Sequence, residues 1–252
     1  MSFDISRLLE QWEYQPGQIA VRKFKAKNGK EKVQLRVDLG LLQMNAEGRP
    51  DGKRPMGHES LLTFYRARLD QHRTRTGSSS GFALKNEDCA KLQQEAIQYY
   101  HRYICLFELG DFPGVLRDTT HNMEILEFIA DHAGSAEVTS MLHQFKPPLI
   151  LMRTRAEGAL ALQTDQYARA IEAVESALDE LREFYREQSR QDLLEQSPEI
   201  QVLEQWLADI RQRRPLSELE KLQHALKEAV GREDYEKAAQ VRDALKNLGK
   251  KD

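Results

Sequence analysis

Residues 217–248 read SELEKLQHALKEAVGREDYEKAAQVRDALKNL, a pattern that specifies two short helices joined by a tight turn. Ser217 followed by Glu220 is a capping box, in which a side chain at each end of the first turn satisfies a backbone amide that would otherwise lack a partner. Leu219, Leu222, Leu226 and Val230 recur at helical spacing and form one apolar stripe. Gly231 is placed to end this helix, because glycine enters the left-handed conformation of a helix terminus without steric cost. Asp234 caps a second helix that Gly249 closes. Tyr235, Ala238, Ala239, Leu245 and Leu248 make most of its apolar side, and the small pair Ala238-Ala239 lets the two helices approach closely. A hairpin of this size falls below the roughly 40 residues at which a core sustains itself. Part of its stripe therefore docks on the rest of the chain, on a second copy or on another protein.

Outward from this hairpin the chain is helical as far back as Leu84. Apolar residues keep helical spacing over 84–109, 114–132, 149–162, 167–190 and 199–211. The breaks are Gly110-Asp111-Phe112-Pro113, Gly134-Ser135, Pro147-Pro148, Thr164-Asp165 and Ser197-Pro198. Helices joined by short polar breaks stack as antiparallel hairpins. In residues 155–178 Gly158 and Ala161 are small residues at a close contact, and Tyr167, Ala170 and Ala177 lie where a second helix packs back. This segment resembles a tetratricopeptide hairpin, and Leu109-Gly110-Asp111-Phe112 repeats its turn. The two turns, at 110 and 165, lie 55 residues apart and not about 34, so no regular array is present. An ordinary helical bundle with an alanine-rich contact fits the same pattern.

The N-terminal third is different. After a short amphipathic start around Leu8, Leu9 and Trp12, residues 19–39 alternate as strands about Asn28-Gly29, the dipeptide suited to a two-residue turn with positive φ angles. Folding there sets Phe24 opposite Val33, Arg22 opposite Leu35 and Ala20 opposite Val37, with Lys23, Lys25, Lys32 and Arg36 on the other face. Residues 47–55 are turn chemistry throughout, and a helix over 58–69 follows. Residues 73–81, without an apolar side chain and rich in glycine and serine, read as a linker. The expected organisation is a small basic α/β domain over 1–76, a linker over 77–83, a helical domain over 84–212 and the terminal hairpin over 215–249. The fold class is mainly α.

The terminal hairpin closely resembles the UVR motif, through which the repair proteins UvrB and UvrC recognise each other and which also occurs in Clp-type chaperones and the adaptor McsA. The resemblance rests most on Asp234-Tyr235-Glu236-Lys237-Ala238-Ala239-Gln240-Val241-Arg242-Asp243, with Tyr235 where the family usually has phenylalanine. It implies docking of a UVR-bearing or Clp-type partner, or of a second copy, through Leu219, Leu222, Leu226, Tyr235, Ala238, Ala239 and Leu245. Arg242 and Asp243 would fix orientation by charge-assisted hydrogen bonds. The enzymes that usually carry the motif are not visible: a phosphate loop, a GIY-YIG nuclease signature and paired CxxC clusters do not occur.

Composition sets the remaining bounds. The 252 residues carry 37 Lys and Arg against 40 Asp and Glu, for a net charge of −3. Residues 1–80 hold 15 basic and 9 acidic side chains, so a head of +6 adjoins a body of −9. With no apolar run near the ~18–20 residues a membrane helix needs, no secretory pattern at the start and two dispersed cysteines, Cys89 and Cys105, the expectation is a cytoplasmic protein with reduced thiols. His121, Glu124, Asp131 and His132 share one helical arc, but Phe128 at its centre suits a packed face better than a metal site. The reading assigns no catalytic residues, cofactor or metal. Its alternative function is nucleic-acid binding through Lys23, Lys25, Lys32 and Arg36. A solvated edge that discourages strand pairing, or a surface resting on the acidic body of the same chain, accounts for the same lysines.

Overall fold

A computed structural model describes residues 4–188, 190–216 and 218–248. Ten of the elements are the short helix α1 (Ser6–Glu10), strands β1 (Ala20–Lys25), β2 (Glu31–Val37) and β3 (Gly40–Asn45), and helices α2 (Leu61–Thr76), α3 (Asn86–Glu108), α4 (Phe112–His132), α5 (Ala136–His143), α6 (Lys146–Gln163) and α7 (Tyr167–Glu187). The rest are a single 3₁₀ turn (Pro55–Gly57), α8 (Gln191–Gln196), α9 (Pro198–Arg213), α10 (Glu218–Gly231) and α11 (Tyr235–Leu248). Mainly helical, with one three-stranded antiparallel sheet near the N-terminus, the chain has the expected fold class. It divides into two compact units, the first ending at Leu207 and the second beginning at Ala208, within α9.

The sheet forms in a register one residue away from the expected one. Gly29 adopts φ 78° and its amide bonds to the carbonyl of Ala26, while the amide of Ala26 bonds to Lys30 at 2.9 Å. The connection is thus a type I turn followed by a left-handed glycine, a three-residue hairpin loop and not a two-residue one. Phe24 consequently faces Lys32, Arg22 faces Gln34, Ala20 faces Arg36, and Lys25 faces Glu31. A one-residue slip moves every side chain of one strand to the other face relative to its partner. The four basic residues expected on one face are therefore divided between two. Lys23 and Lys25 share the face of Val33 and Met44, which are buried. Lys32 and Arg36 lie on the opposite face. There Arg22 donates to Gln34 and Gln34 to Gln43, each at 2.7 Å, and Lys32 bonds Asn45. Arg36 holds the carbonyls of Asp38 and Gly40. Trp12 and Tyr14 lie over the guanidinium groups of Arg22 and Arg36, 4.1 and 5.0 Å from their ring centres.

The segment read as a linker is an ordered turn inside the first unit. Gly77 ends α2 in the left-handed conformation, Phe82 meets the rings of Phe128 and His132 edge-on, and the amide of Leu84 bonds to the carbonyl of His132 at 2.7 Å. Leu62, Tyr65 and Leu69 of α2 share one core with Leu92 of α3 and Ile125, Phe128 and Ile129 of α4. Burying a large apolar side chain is worth about 1.5–3 kcal/mol, which outweighs the local flexibility of the Gly-Ser run. The N-terminal third thus belongs to the same unit as the helices that follow.

The body is built of helical hairpins, α3 with α4 and α6 with α7, and α4 packs on α6. Ala161, Ala170 and Ala177 are buried as the small-residue pattern requires. Gly158 has a different role. A β-carbon there would lie 2.4 Å from the ring of Trp206 on α9, so its smallness admits that ring.

Candidate functional site: the C-terminal hairpin

Helices α10 and α11 pack against each other through an alanine-rich seam. Ala229 and Ala238 are buried, and Leu222, Ala225, Leu226, Val241, Ala244 and Leu245 are half-buried. Asp234 caps α11 as its position implies, its carboxylate accepting from the amide of Lys237 at 3.1 Å and its carbonyl from Ala238 at 3.0 Å. The two outer caps assigned to Ser217 and Gly249 lie outside the described residues. Gly231 is the last residue of α10 but does not supply the left-handed conformation that ends it. The left-handed residue is Glu233, two positions on, at φ 58°. The amide of Glu233 bonds to Val230 and that of Asp234 to Ala229, which is the paired closure of a Schellman turn.

The seam also sorts the expected docking residues. Ala238 makes the close approach of the two helices, whereas Ala239 is exposed. Tyr235, Ala239 and Arg242, at spacings of four and three, share an outward flank of α11, with Tyr235 71% exposed. On α10, Leu219 and Val230 are 45% and 54% exposed. Arg242 and Asp243 are exposed and make no ion pair among the described residues. Leu222, Leu226 and Leu245 are half spent on the hairpin's own packing. A large aromatic ring in water beside an alanine and an arginine is the composition from which protein interfaces draw their strongest contacts. Residues 217–251 match the UvrB/uvrC motif family.

The hairpin is a UVR motif. No curated protein and no solved structure matches the chain. The same turn closes the other hairpins of the chain. Gly110, Asp165 and Glu233 each adopt positive φ, each is followed by the start of a helix, and an aromatic residue, Phe112, Tyr167 or Tyr235, opens that helix. The UVR motif therefore uses the local geometry of the body hairpins. What distinguishes it is Tyr235 in solvent, whereas Tyr167 is half-buried.

The first unit holds a second constellation that the sequence did not reveal, an ionic network buried between α3, α4 and the loop after β3. Arg102 and Asp118, both fully buried, form a two-bond pair at 2.6 and 2.7 Å. The remaining Nη of Arg102 donates to the carbonyls of Asn45 and Gly48. Arg117 joins Asp118 to Glu47 and to the carbonyl of Ala46. Glu95, also fully buried, accepts from the first amides of α2, Leu61 and Leu62, faces His121 at 3.2 Å and pairs with Arg49 at 3.1 Å. The ring of His121 stacks on Tyr99 at 3.9 Å. Burial, with Glu95 nearby, pushes the Tyr99 hydroxyl up to about 12. The available signal was phase: Glu95 and Arg102 fall in the same helical stripe as Leu92, Tyr99 and Leu106, where a charge needs a buried partner.

The remaining candidates disperse. His121 is turned to Glu95, Glu124 to Arg66 at 3.1 Å, and His132 to the rings of Phe82 and Phe128. Among the described residues no group of three metal-ligating side chains is gathered, and no helix is long and apolar enough to cross a membrane. Cys89 and Cys105 are buried free thiols, and burial pushes the Cys105 thiol up to about 12. Lys23 lies 3.0 Å from Glu31 and 3.4 Å from Asp111. With Lys32 on the other face, the strand cations form no continuous track for a phosphate backbone.

Proposed function

We propose that the chain is a non-catalytic interaction protein whose UVR hairpin docks a partner protein of the excision-repair or Clp-type quality-control machinery. The observation that carries this reading is the outward flank of Tyr235, Ala239 and Arg242 on a hairpin already closed by its own seam and by the turn at Glu233 and Asp234. Such a surface is formed before binding, so association does not bear the entropy of folding it. The helical body serves as the carrier of that surface.

The test uses the full chain against purified proteins bearing a UVR hairpin of the UvrB or UvrC type, a Clp-type chaperone, and a second copy of itself. Tyr235→Ala is expected to weaken the productive interaction by about 2 kcal/mol or more, roughly thirtyfold, as for a central aromatic anchor. Ala239→Glu abolishes it by placing a charge in the contact. Both variants keep the wild-type helical circular dichroism, because neither side chain lies in the seam. Undiminished binding by both removes the reading.

A further inference from the structure

A cleft of about 700 Å³ opens beside the buried ionic network, walled by the loop after β3 and by helices α3 and α4. Its floor is fixed. Arg102 and Arg117 clamp the carbonyls of Asn45, Ala46 and Gly48, so the loop is held by buried charge and not by packing alone. A β-carbon on Gly52, at φ 74°, would lie 2.4 Å from the Asn45 side chain, which keeps the loop folded tightly on β3. Into this floor projects Arg49, whose side chain is only 10% exposed. It lies beside Glu95 and Asp51 through Nε, at 3.1 and 3.5 Å, yet Nε has no hydrogen-bond partner. Its terminal nitrogens donate no hydrogen bond among the described residues. The charge of Arg49 is therefore met on the Nε side by Glu95, while its two terminal nitrogens, on the side that lines the cleft, are left to take a further acceptor.

The charge around the mouth points to the nature of that acceptor. Lys30, Lys53 and Arg54 line the cleft, are exposed, and make no ion pair among the described residues. Of the carboxylates lining it, Glu47 is tied to Arg117 and Glu124 to Arg66, which leaves Glu59 as the unpaired acid among the described residues. Three free cations against one free carboxylate, around a buried arginine fork, match an anion with several acceptor oxygens. The volume lies in the range of roughly 300–1,000 Å³ of small-molecule sites. The cations converge on a concavity and do not run along an edge, which favours a compact ligand over a polymer.

We infer that this cleft binds a small phosphate-bearing metabolite, its phosphate held by the Arg49 fork with Lys30, Lys53 and Arg54 at the mouth. The site is separate from the UVR hairpin and gives the chain a small-molecule input that docking alone does not need.

The experiment is isothermal titration of the full chain with pyrophosphate as the probe, at constant ionic strength, alongside a single-stranded oligonucleotide. Saturable pyrophosphate binding is expected, weakened at least tenfold in the double variant Lys53→Ala/Arg54→Ala, whose exposed side chains leave the fold intact. Arg49→Lys keeps the charge but loses the fork, and is expected to weaken binding by a similar factor with unchanged circular dichroism. Absence of saturable pyrophosphate binding overturns the inference, as does equal affinity in the double variant. Oligonucleotide binding with pyrophosphate inert overturns it in favour of a nucleic-acid surface.

Discussion

Glu233 shows how a single residue departs from the rule that its neighbour seemed to follow. Gly231 is the residue whose chemistry announces a helix stop, yet it is the last helical residue and a side chain there would meet no atom within 4 Å. The turn needs its left-handed residue two positions later, because only then do the amides of Glu233 and Asp234 reach the carbonyls of Val230 and Ala229. A residue with a β-carbon in that conformation costs roughly 1–2 kcal/mol, which glycine avoids. Glu233→Gly is therefore expected to stabilise the hairpin by about 1 kcal/mol, and Gly231→Ala by up to about 1 kcal/mol through helix propensity. Thermal unfolding followed by helical circular dichroism on the full chain checks both. A hairpin weakened by Gly231→Ala would mean that the glycine serves the turn after all.

At the scale of elements, the sequence rendered the long helices well and the connections poorly. The apolar spacing of 84–109, 114–132 and 167–190 marks α3, α4 and α7 to within a few residues, because an amphipathic helix repeats its signal over many turns. Short connections carry no such redundancy. One glycine decides whether the loop at Asn28-Gly29 holds two residues or three, and with it the face of every strand residue. The Gly-Ser run at 77–81 has a linker's composition, but the elements on either side share a core that composition cannot display. Likewise the turn-rich stretch 47–55 betrays nothing of the two arginines, Arg102 on α3 and Arg117 on α4, that hold it in place. Arg102 is the main tie between that loop, α3 and α4. Arg102→Met is expected to destabilise by about 3 kcal/mol, since it takes the two-bond partner from the fully buried Asp118 and leaves that charge only the half-exposed Arg117 at 2.9 Å. Adding Asp118→Leu recovers much of that loss, because an apolar pair of similar volume removes the stranded charge. Urea unfolding of the wild type, the single and the double variant measures both steps. A double variant as unstable as the single one would mean that the network acts through the loop carbonyls and not through the pair.

The whole molecule explains the charge asymmetry of its sequence. Cations of the basic head are spent on carboxylates of the acidic body: Lys23 on Asp111, Arg49 on Glu95, Arg66 on Glu124, with Arg117 reaching back to Glu47. The head is an integral part of the first unit, and three of the cations it leaves unspent, Lys30, Lys53 and Arg54, lie around the cleft. The UVR motif takes no part in these pairs and carries a seam of its own, formed within α10 and α11. If the two compact units are energetically separate, a chain ending at Arg214 loses the helical signal of two 14-residue helices and little else. With 1 kcal/mol corresponding to about 2–4 °C for a chain of this size, its main thermal transition is expected to stay within about 4 °C of the full chain's. Scanning calorimetry of both chains decides the matter. A larger fall would show that the body depends on the hairpin for its own stability. Docking at Tyr235 would then have to compete with that dependence.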